Sequence, residues 1–172
     1  MKKYQRLKVQ LRVRVGRQEK ADAEAPQIDS AAAVYKHLAE YSNADREVLL
    51  LLLVDAKNIL LRIETHSIGA VDSAAVYPRE IFRSVLLKNA SSFIMVHNHP
   101  SGDPEPSLCD KEITRAVFAG AAAIGVKLLD HIILGAAGRY YSFADRGLID
   151  EYGRMFSRDY SGIADPQAWV TP

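Results

Sequence analysis

The sequence feature that most constrains the fold is an apolar run that ends in two closely spaced histidines and continues into a proline-rich segment. Residues 93–96 are typical of a buried strand, and because side chains alternate between the faces of a strand, His97 and His99 are expected on the same side. Residues 100–106 contain three prolines and a glycine, which favours a stiff turn without regular structure. The sequence therefore predicts a strand, a rigid turn, and a helix that begins near Ser107.

The predicted helix carries Asp110 in its first turn, where the preceding turn can return its carboxylate to the two histidines. Two imidazole nitrogens and one carboxylate oxygen suit zinc, and three protein ligands leave a fourth coordination position open for water. The sequence thus predicts a Zn²⁺ site formed by His97, His99 and Asp110. Asn98, between the histidines, points to the opposite side.

The same residues also have an explanation without a metal. Ser107 and Asp110 match a helix-start signal, with a serine as N-cap and an acidic residue three positions later. Histidines at a strand end can simply satisfy backbone partners. Spacing alone does not decide between these two interpretations, although the combination of histidines, rigid loop and acid favours the metal.

The stretch from His97 to Asp110 resembles the metal motif of JAMM/MPN-type metalloproteins, which contain a JAB domain: His-x-His, seven residues, Ser, two residues, Asp. The fuller string, HNHPSGDP-x-P-S-x-x-D, is similar to the RadC-like branch of that superfamily. The similarity extends over about residues 45–148, including 77–80 and 130–133. It implies a JAB/MPN-like fold of cytidine-deaminase-like architecture and a zinc metallopeptidase activity.

Amide hydrolysis also needs a group that takes a proton from water and returns it to the leaving amine, and a glutamate near the metal is the usual choice. Judged by residues alone, several glutamates remain open, namely Glu47, Glu64, Glu80, Glu105 and Glu112. Glu47 stands at the entrance to a buried strand, where it could equally pair with Arg46. The resemblance implies a catalytic glutamate on a strand upstream of His-x-His, which corresponds to Glu47. It also implies that Ser107 helps to stabilise the tetrahedral intermediate.

Two further residues receive other expectations. Asn98 replaces the Ser or Thr found between the histidines of the deubiquitinase members, which counts against ubiquitin-like specificity. His131 follows Asp130 within an apolar strand and is expected to be a structural histidine.

The hydrophobic pattern predicts a single α/β domain with a mixed, mostly antiparallel sheet flanked by helices. Strands are expected at residues 7–15, 48–54, 59–65, 91–96, 126–134 and 140–143, and helices from about residues 30, 78 and 107. The expected organisation is a basic strand and linker at 1–28, a RadC-like JAB/MPN domain at 29–150 and a C-terminal tail at 151–172. The aromatic residues of that tail need a docking surface, on this chain or on a partner.

Composition limits the function classes. The 172 residues suffice for one buried core, and a single cysteine excludes an intrachain disulfide. No apolar run reaches transmembrane length and no apolar signal segment is present, so we expect a cytoplasmic protein without a membrane partner. The oligomeric state is left open.

The net charge of +1 conceals a basic N-terminus: residues 1–20 hold eight Lys or Arg against one Glu, so they carry +7 and the remainder −6. The alternation of these charges with apolar residues favours the outer face of an edge strand, where Lys and Arg discourage edge-to-edge pairing. Weak contact with nucleic acid through this segment is the alternative.

Two function classes follow. The first is a zinc-dependent metallohydrolase, a metallopeptidase or isopeptidase that acts on an unknown peptide or protein. The second is a DNA-repair-associated or nucleic-acid-associated accessory module with a structural or vestigial metal site. Full-length RadC-like proteins often carry a helix-hairpin-helix region ahead of this domain, and we expect none in the present sequence, which counts against a DNA-repair role. The complete set of site residues favours the first class.

Overall fold

The computed structural model describes residues 27–69 and 76–159. The elements in chain order are α1 (Ala31–Leu38), a 3-10 helix (Ala39–Asn43), β1 (Val48–Val54), β2 (Leu60–Ile68), α2 (Pro78–Leu87), β3 (Ser92–Asn98), α3 (Leu108–Ala123), β4 (Lys127–Leu134), β5 (Tyr140–Ser142) and α4 (Leu148–Asp159). The strand expected at residues 7–15 lies outside the described residues, as does the chain beyond residue 159.

The strands form one five-stranded sheet in the order β2-β1-β3-β4-β5. β3 and β4 are parallel, whereas the other three neighbouring pairs are antiparallel. A parallel pair needs a long crossover, and α3 provides it. The predicted α/β domain with a mixed, mostly antiparallel sheet is therefore confirmed.

Helices cover both faces of the sheet, which explains why all seven residues of β1 are buried. On one face Leu50, Leu52 and Val96 pack with α1 residues such as Val34. On the other face Leu51 packs with α2 and α3, together with the residues Leu49, Leu53, Ile81, Val85, Met95 and Val117. Strand alternation consequently assigns neighbouring residues at the end of β3 to opposite faces of the sheet.

The chain after residue 148 differs from the expectation. A tail was expected from residue 151, but α4 continues to residue 159, so the expected boundary at residue 150 falls inside a helix. Ile149 and Tyr152 share one helix face and pack near Phe143, and Tyr152 is buried. Part of the expected tail thus docks on its own domain. Within the described ranges, no helix combines the length and apolar character needed to cross a bilayer.

Candidate metal centre

The end of β3 and the start of α3 bring three potential metal ligands together. His97 and Asp110 are buried, and His99 is partly buried. His97 Nε2 lies 3.1 Å from His99 Nε2 and 3.2 Å from Asp110 Oδ1, and His99 Nε2 lies 3.5 Å from Asp110 Oδ2. The three residues predicted from the sequence therefore form one group that could hold a metal ion.

These spacings fit a small four-coordinate ion. Bonds of about 2.0–2.2 Å at tetrahedral angles require ligand atoms roughly 3.3–3.6 Å apart. The distances of His97 Nε2 to His99 Nε2 and to Asp110 Oδ1, 3.1 and 3.2 Å, are close to that range, and the 3.5 Å contact of His99 is with the other carboxylate oxygen, Oδ2. Two imidazoles and one carboxylate could hold such an ion.

The proline-containing turn fixes the orientation of His99. Its Nδ1 lies 2.7 Å from the carbonyl oxygen of Asp103, and because a carbonyl only accepts, this nitrogen carries the hydrogen. The turn is held in place by Gly102, whose carbonyl accepts from the Ala136 backbone and from the Arg139 guanidinium, each at 2.9 Å. His99 Nε2 is consequently the ring nitrogen that faces Asp110, at 3.5 Å from Oδ2.

Ser107 and Asp110 form a reciprocal cap at the start of α3. The Ser107 hydroxyl donates to Asp110 Oδ2 at 2.6 Å, and the Ser107 backbone N–H donates to the same oxygen at 2.8 Å. Burial alone would raise the pKa of Asp110, but the hydrogen bonds with His97 and His99 hold it well below its usual range. Capping of α3 by Ser107 and Asp110 is therefore compatible with metal binding by Asp110. The role of Ser107 in stabilising an oxyanion stays a prediction.

Glu47 precedes β1 at the same end of the sheet. β1 runs antiparallel to β3, and Leu49 is paired with His97, so Glu47 comes to the side of the histidines. The pKa of His99 is raised, first by its hydrogen bond with Asp110 and, among smaller contributions, by the negative charge of Glu47. The general acid/base role predicted for Glu47 is not tested by this geometry, but its location agrees with it.

Asn98 supports the backbone around Glu47, a role that the sequence did not indicate. Its side-chain oxygen accepts from the Val48 N–H at 2.8 Å, and its amide nitrogen donates to the carbonyls of Arg46 and Ala44 at 3.0 and 3.4 Å. Asn98 has no exposed surface. The residue between the two histidines thus connects β3 to the segment that carries Glu47.

His131, which the sequence predicts to be a structural histidine, lies directly behind His97. His131 Nε2 is 2.8 Å from His97 Nδ1, and the two ring centroids are 4.9 Å apart. The parallel register pairs His131 with Met95, which shares a sheet face with His97. Periodicity could have placed His131 on that face only if the register of the two strands had been known.

The fold and the site define a JAB-type α/β domain with a potential metal site between the carboxyl end of β3 and the start of α3. The profile of the RadC-like JAB domain matches residues 28–148. The chain therefore belongs to the RadC-like JAB domain family, as the resemblance implied.

Curated relatives are similar over the same part of the chain. A UPF0758 protein of Methanosarcina acetivorans is 43% identical over 121 residues, which cover 70% of this chain and 51% of that protein. A UPF0758 protein of Thermotoga maritima is 38% identical over 120 residues, covering 70% and 54%. The UPF0758 protein PM1152 of Pasteurella multocida is 40% identical over 111 residues, covering 64% and 49%. The matched part of this chain spans about half the length of these relatives.

Proposed function

We propose that this chain is a zinc-dependent metallohydrolase, a metallopeptidase or isopeptidase that cleaves an amide bond in a peptide or protein substrate. The observation that carries the proposal is the spacing of His97, His99 and Asp110, whose donor atoms lie 3.1–3.5 Å apart. A donor set of two nitrogens and one oxygen suits zinc and is typical of catalytic sites that keep an open position.

Zinc bound there would supply a Lewis acid and would lower the pKa of its water from about 15.7 to about 7. Glu47 would take the proton from the attacking water and deliver it to the leaving amine. The Ser107 hydroxyl, which donates to Asp110 at 2.6 Å, would have to turn toward the substrate to stabilise an oxyanion.

Two of the other glutamates considered form ion pairs. Glu64 forms ion pairs with Arg62 at 3.3 Å and with Lys88 at 3.8 Å. Glu80 is paired with its helix neighbours Arg79 and Arg83 at 3.3 and 3.5 Å. Glu47 precedes β1 at the end of the sheet where Leu49 is paired with His97, and this location supports its assignment. Of the effects that raise the pKa of His99, the hydrogen bond with Asp110 is the largest and the negative charge of Glu47 is the smallest.

Metal analysis combined with peptide-library cleavage tests the proposal. The parent protein should contain about one zinc per chain and cleave a subset of the library. Glu47→Gln should retain zinc, because Glu47 is not among the ligands, while hydrolysis falls by a factor of about 10² to 10⁴. His97→Ala should lose zinc and activity together.

Glu80→Gln is the matched control, since it makes the same chemical change on a half-exposed, ion-paired glutamate and should leave hydrolysis intact. Full activity in Glu47→Gln would remove Glu47 from the mechanism. Loss of zinc in that variant would instead make Glu47 a ligand or a support of the site. A parent protein that binds no zinc would contradict the proposal as a whole.

A further inference from the structure

A buried chain of hydrogen bonds runs from one predicted ligand to the backbone of another. His97 Nδ1 lies 2.8 Å from His131 Nε2, and His131 Nδ1 lies 2.6 Å from Thr114 Oγ1. The Thr114 hydroxyl in turn contacts the backbone carbonyl of Asp110, one helical turn earlier in α3. His97, His131 and Thr114 are at most 2% exposed, so water does not compete for these bonds.

The carbonyl at the far end determines the direction of every bond in the chain. A carbonyl only accepts, so the Thr114 hydroxyl donates to Asp110 and its oxygen accepts from His131 Nδ1–H. An imidazole that carries its hydrogen on Nδ1 keeps a lone pair on Nε2, so Nε2 of the buried His131 ring is the acceptor for His97 at 2.8 Å. His97 must then carry its hydrogen on Nδ1.

This direction of the hydrogen bonds matters because Nε2, the second ring nitrogen of His97, is the one that faces the site. His97 Nε2 is the atom close to His99 and Asp110, at 3.1 and 3.2 Å. A metal needs a nitrogen with a lone pair, and the tautomer with hydrogen on Nδ1 provides one at Nε2. His99 reaches the same tautomer through the Asp103 carbonyl, whereas His97 reaches it through two side chains.

We propose that His131 and Thr114 are positioning residues of the metal site, which hold His97 in the Nδ1–H tautomer with Nε2 directed at the ion. The inference rests on the metal site of the proposed function, but not on hydrolysis. The ring of His131 is itself held by stacking on Phe143, with centroids 5.0 Å apart and planes 18° apart. The chain of hydrogen bonds also joins β3, β4 and α3, the three elements that surround the site.

The matched variants Thr114→Val and Thr114→Ser separate the hydroxyl from the shape of the side chain. Valine keeps the shape but removes the donor to the Asp110 carbonyl and the acceptor of His131, so the tautomer of His131 is no longer imposed. Partners of this kind typically contribute a factor of about 10 to 100 in metal affinity. We expect the zinc dissociation constant, measured by competition with a chelator, to rise by that factor in Thr114→Val and to stay within about threefold of the parent in Thr114→Ser.

Nitrogen-15 spectra of the imidazoles read the tautomers directly and need no variant. In the metal-free parent, long-range ¹H–¹⁵N correlations should place hydrogen on Nδ1 of both His97 and His131. In metal-free Thr114→Val, His131 should become a mixture of tautomers.

Hydrogen on Nε2 of His131 in the parent would overturn the inference, as would parent-like zinc affinity in folded Thr114→Val. If Thr114→Val does not fold, the spectra of the parent decide alone. A parent protein that binds zinc with these tautomers but hydrolyses nothing would contradict the proposed function and leave this inference intact.

Discussion

The backbone N–H of Val48 donates a 2.8 Å hydrogen bond to the side-chain oxygen of Asn98, across 50 positions of sequence. The amide nitrogen of the same side chain donates to the Arg46 carbonyl at 3.0 Å. The two bonds hold the backbone on both sides of Glu47. The strand that carries the histidines, β3, therefore also fixes the backbone position of the glutamate.

Replacing Asn98 with aspartate should disturb Glu47 more than it disturbs the three predicted metal ligands. The aspartate keeps an acceptor for Val48 but loses the donor and faces the Arg46 carbonyl, which we expect to cost about 1–3 kcal/mol of unfolding free energy or more. Hydrolysis should fall further than zinc affinity, because Glu47 is displaced while the ligands stay on β3. Urea unfolding, chelator competition and peptide cleavage measure the three effects.

Asn43→Asp makes the same change on an exposed asparagine and should alter stability by no more than about 0.5 kcal/mol. Equal losses of zinc and rate would contradict the separation.

Gly102 and Gly138 allow a comparison of two alanine substitutions. Both glycines have positive φ, +76° and +80°, but a Cβ at Gly102 would lie 2.8 Å from Ala136 Cβ, whereas a Cβ at Gly138 has no neighbour within 4 Å. Gly138→Ala should show the backbone strain alone, about 1–2 kcal/mol. Gly102→Ala should cost more and also weaken zinc binding, because the same turn provides the Asp103 carbonyl that orients His99. Urea unfolding and chelator competition measure both effects. Similar unfolding free energies and zinc affinities for the two variants would show that the turn accommodates the added Cβ without cost.

Asp130 should make stability depend on pH. Burial raises its pKa to about 6, although Ser142 and two backbone N–H groups donate to its carboxylate. A pKa raised on folding means that the folded state binds more protons, so this contribution is complete below about pH 4 and is lost as the pH rises through about 6. Asparagine accepts the same N–H groups and donates to Ser142 without titrating. Asp130→Asn should therefore remove a decrease on the order of 2 kcal/mol between pH 4 and 7.

Urea unfolding at a series of pH values measures this difference between Asp130→Asn and the parent. Asp150→Asn, on an exposed position of α4, is the control and should leave the pH dependence unchanged. A pH profile of Asp130→Asn parallel to that of the parent would show that the carboxyl group titrates alike in the folded and unfolded chain.

The basic N-terminus lies outside the described residues, and its nucleic-acid contact stays a prediction. Residues 1–20 carry a net +7, which should give weak, sequence-independent affinity for duplex DNA. The affinity should fall steeply with added salt, because phosphate contacts release counterions. Fluorescence anisotropy with and without residues 1–6, which include Lys2, Lys3 and Arg6, measures it. Unchanged binding after the deletion would remove this segment from consideration.

The part of the site that could be predicted from the sequence is the part encoded by short spacings. Alternation placed His97 and His99 on one side, and the proline-rich turn returned Asp110 to them. The buried strand at residues 48–54 also has the bounds that its aliphatic run predicts. These features depend on residues near in sequence, where periodicity of two and of 3.6 is informative.

The remaining features depend on contacts between distant residues. The role of His131 follows from the parallel register that pairs it with Met95, and the role of Asn98 follows from a loop 50 positions earlier. Helix α4 was missed for a different reason: its apolar residues Ile149 and Tyr152 were interpreted as docking groups of a tail, although their spacing also fits one face of a helix.

The separation between local and distant residues has a consequence for the order of assembly. The three predicted ligands all lie within residues 97–110. A nascent chain therefore contains all three before β4 has been synthesised. Closing so short a loop costs little entropy, and an ion could therefore be captured early. His131, 34 positions after His97, arrives only when the parallel pair forms. The hydrogen bond from His97 to His131 is thus added to the site last, when the sheet is complete.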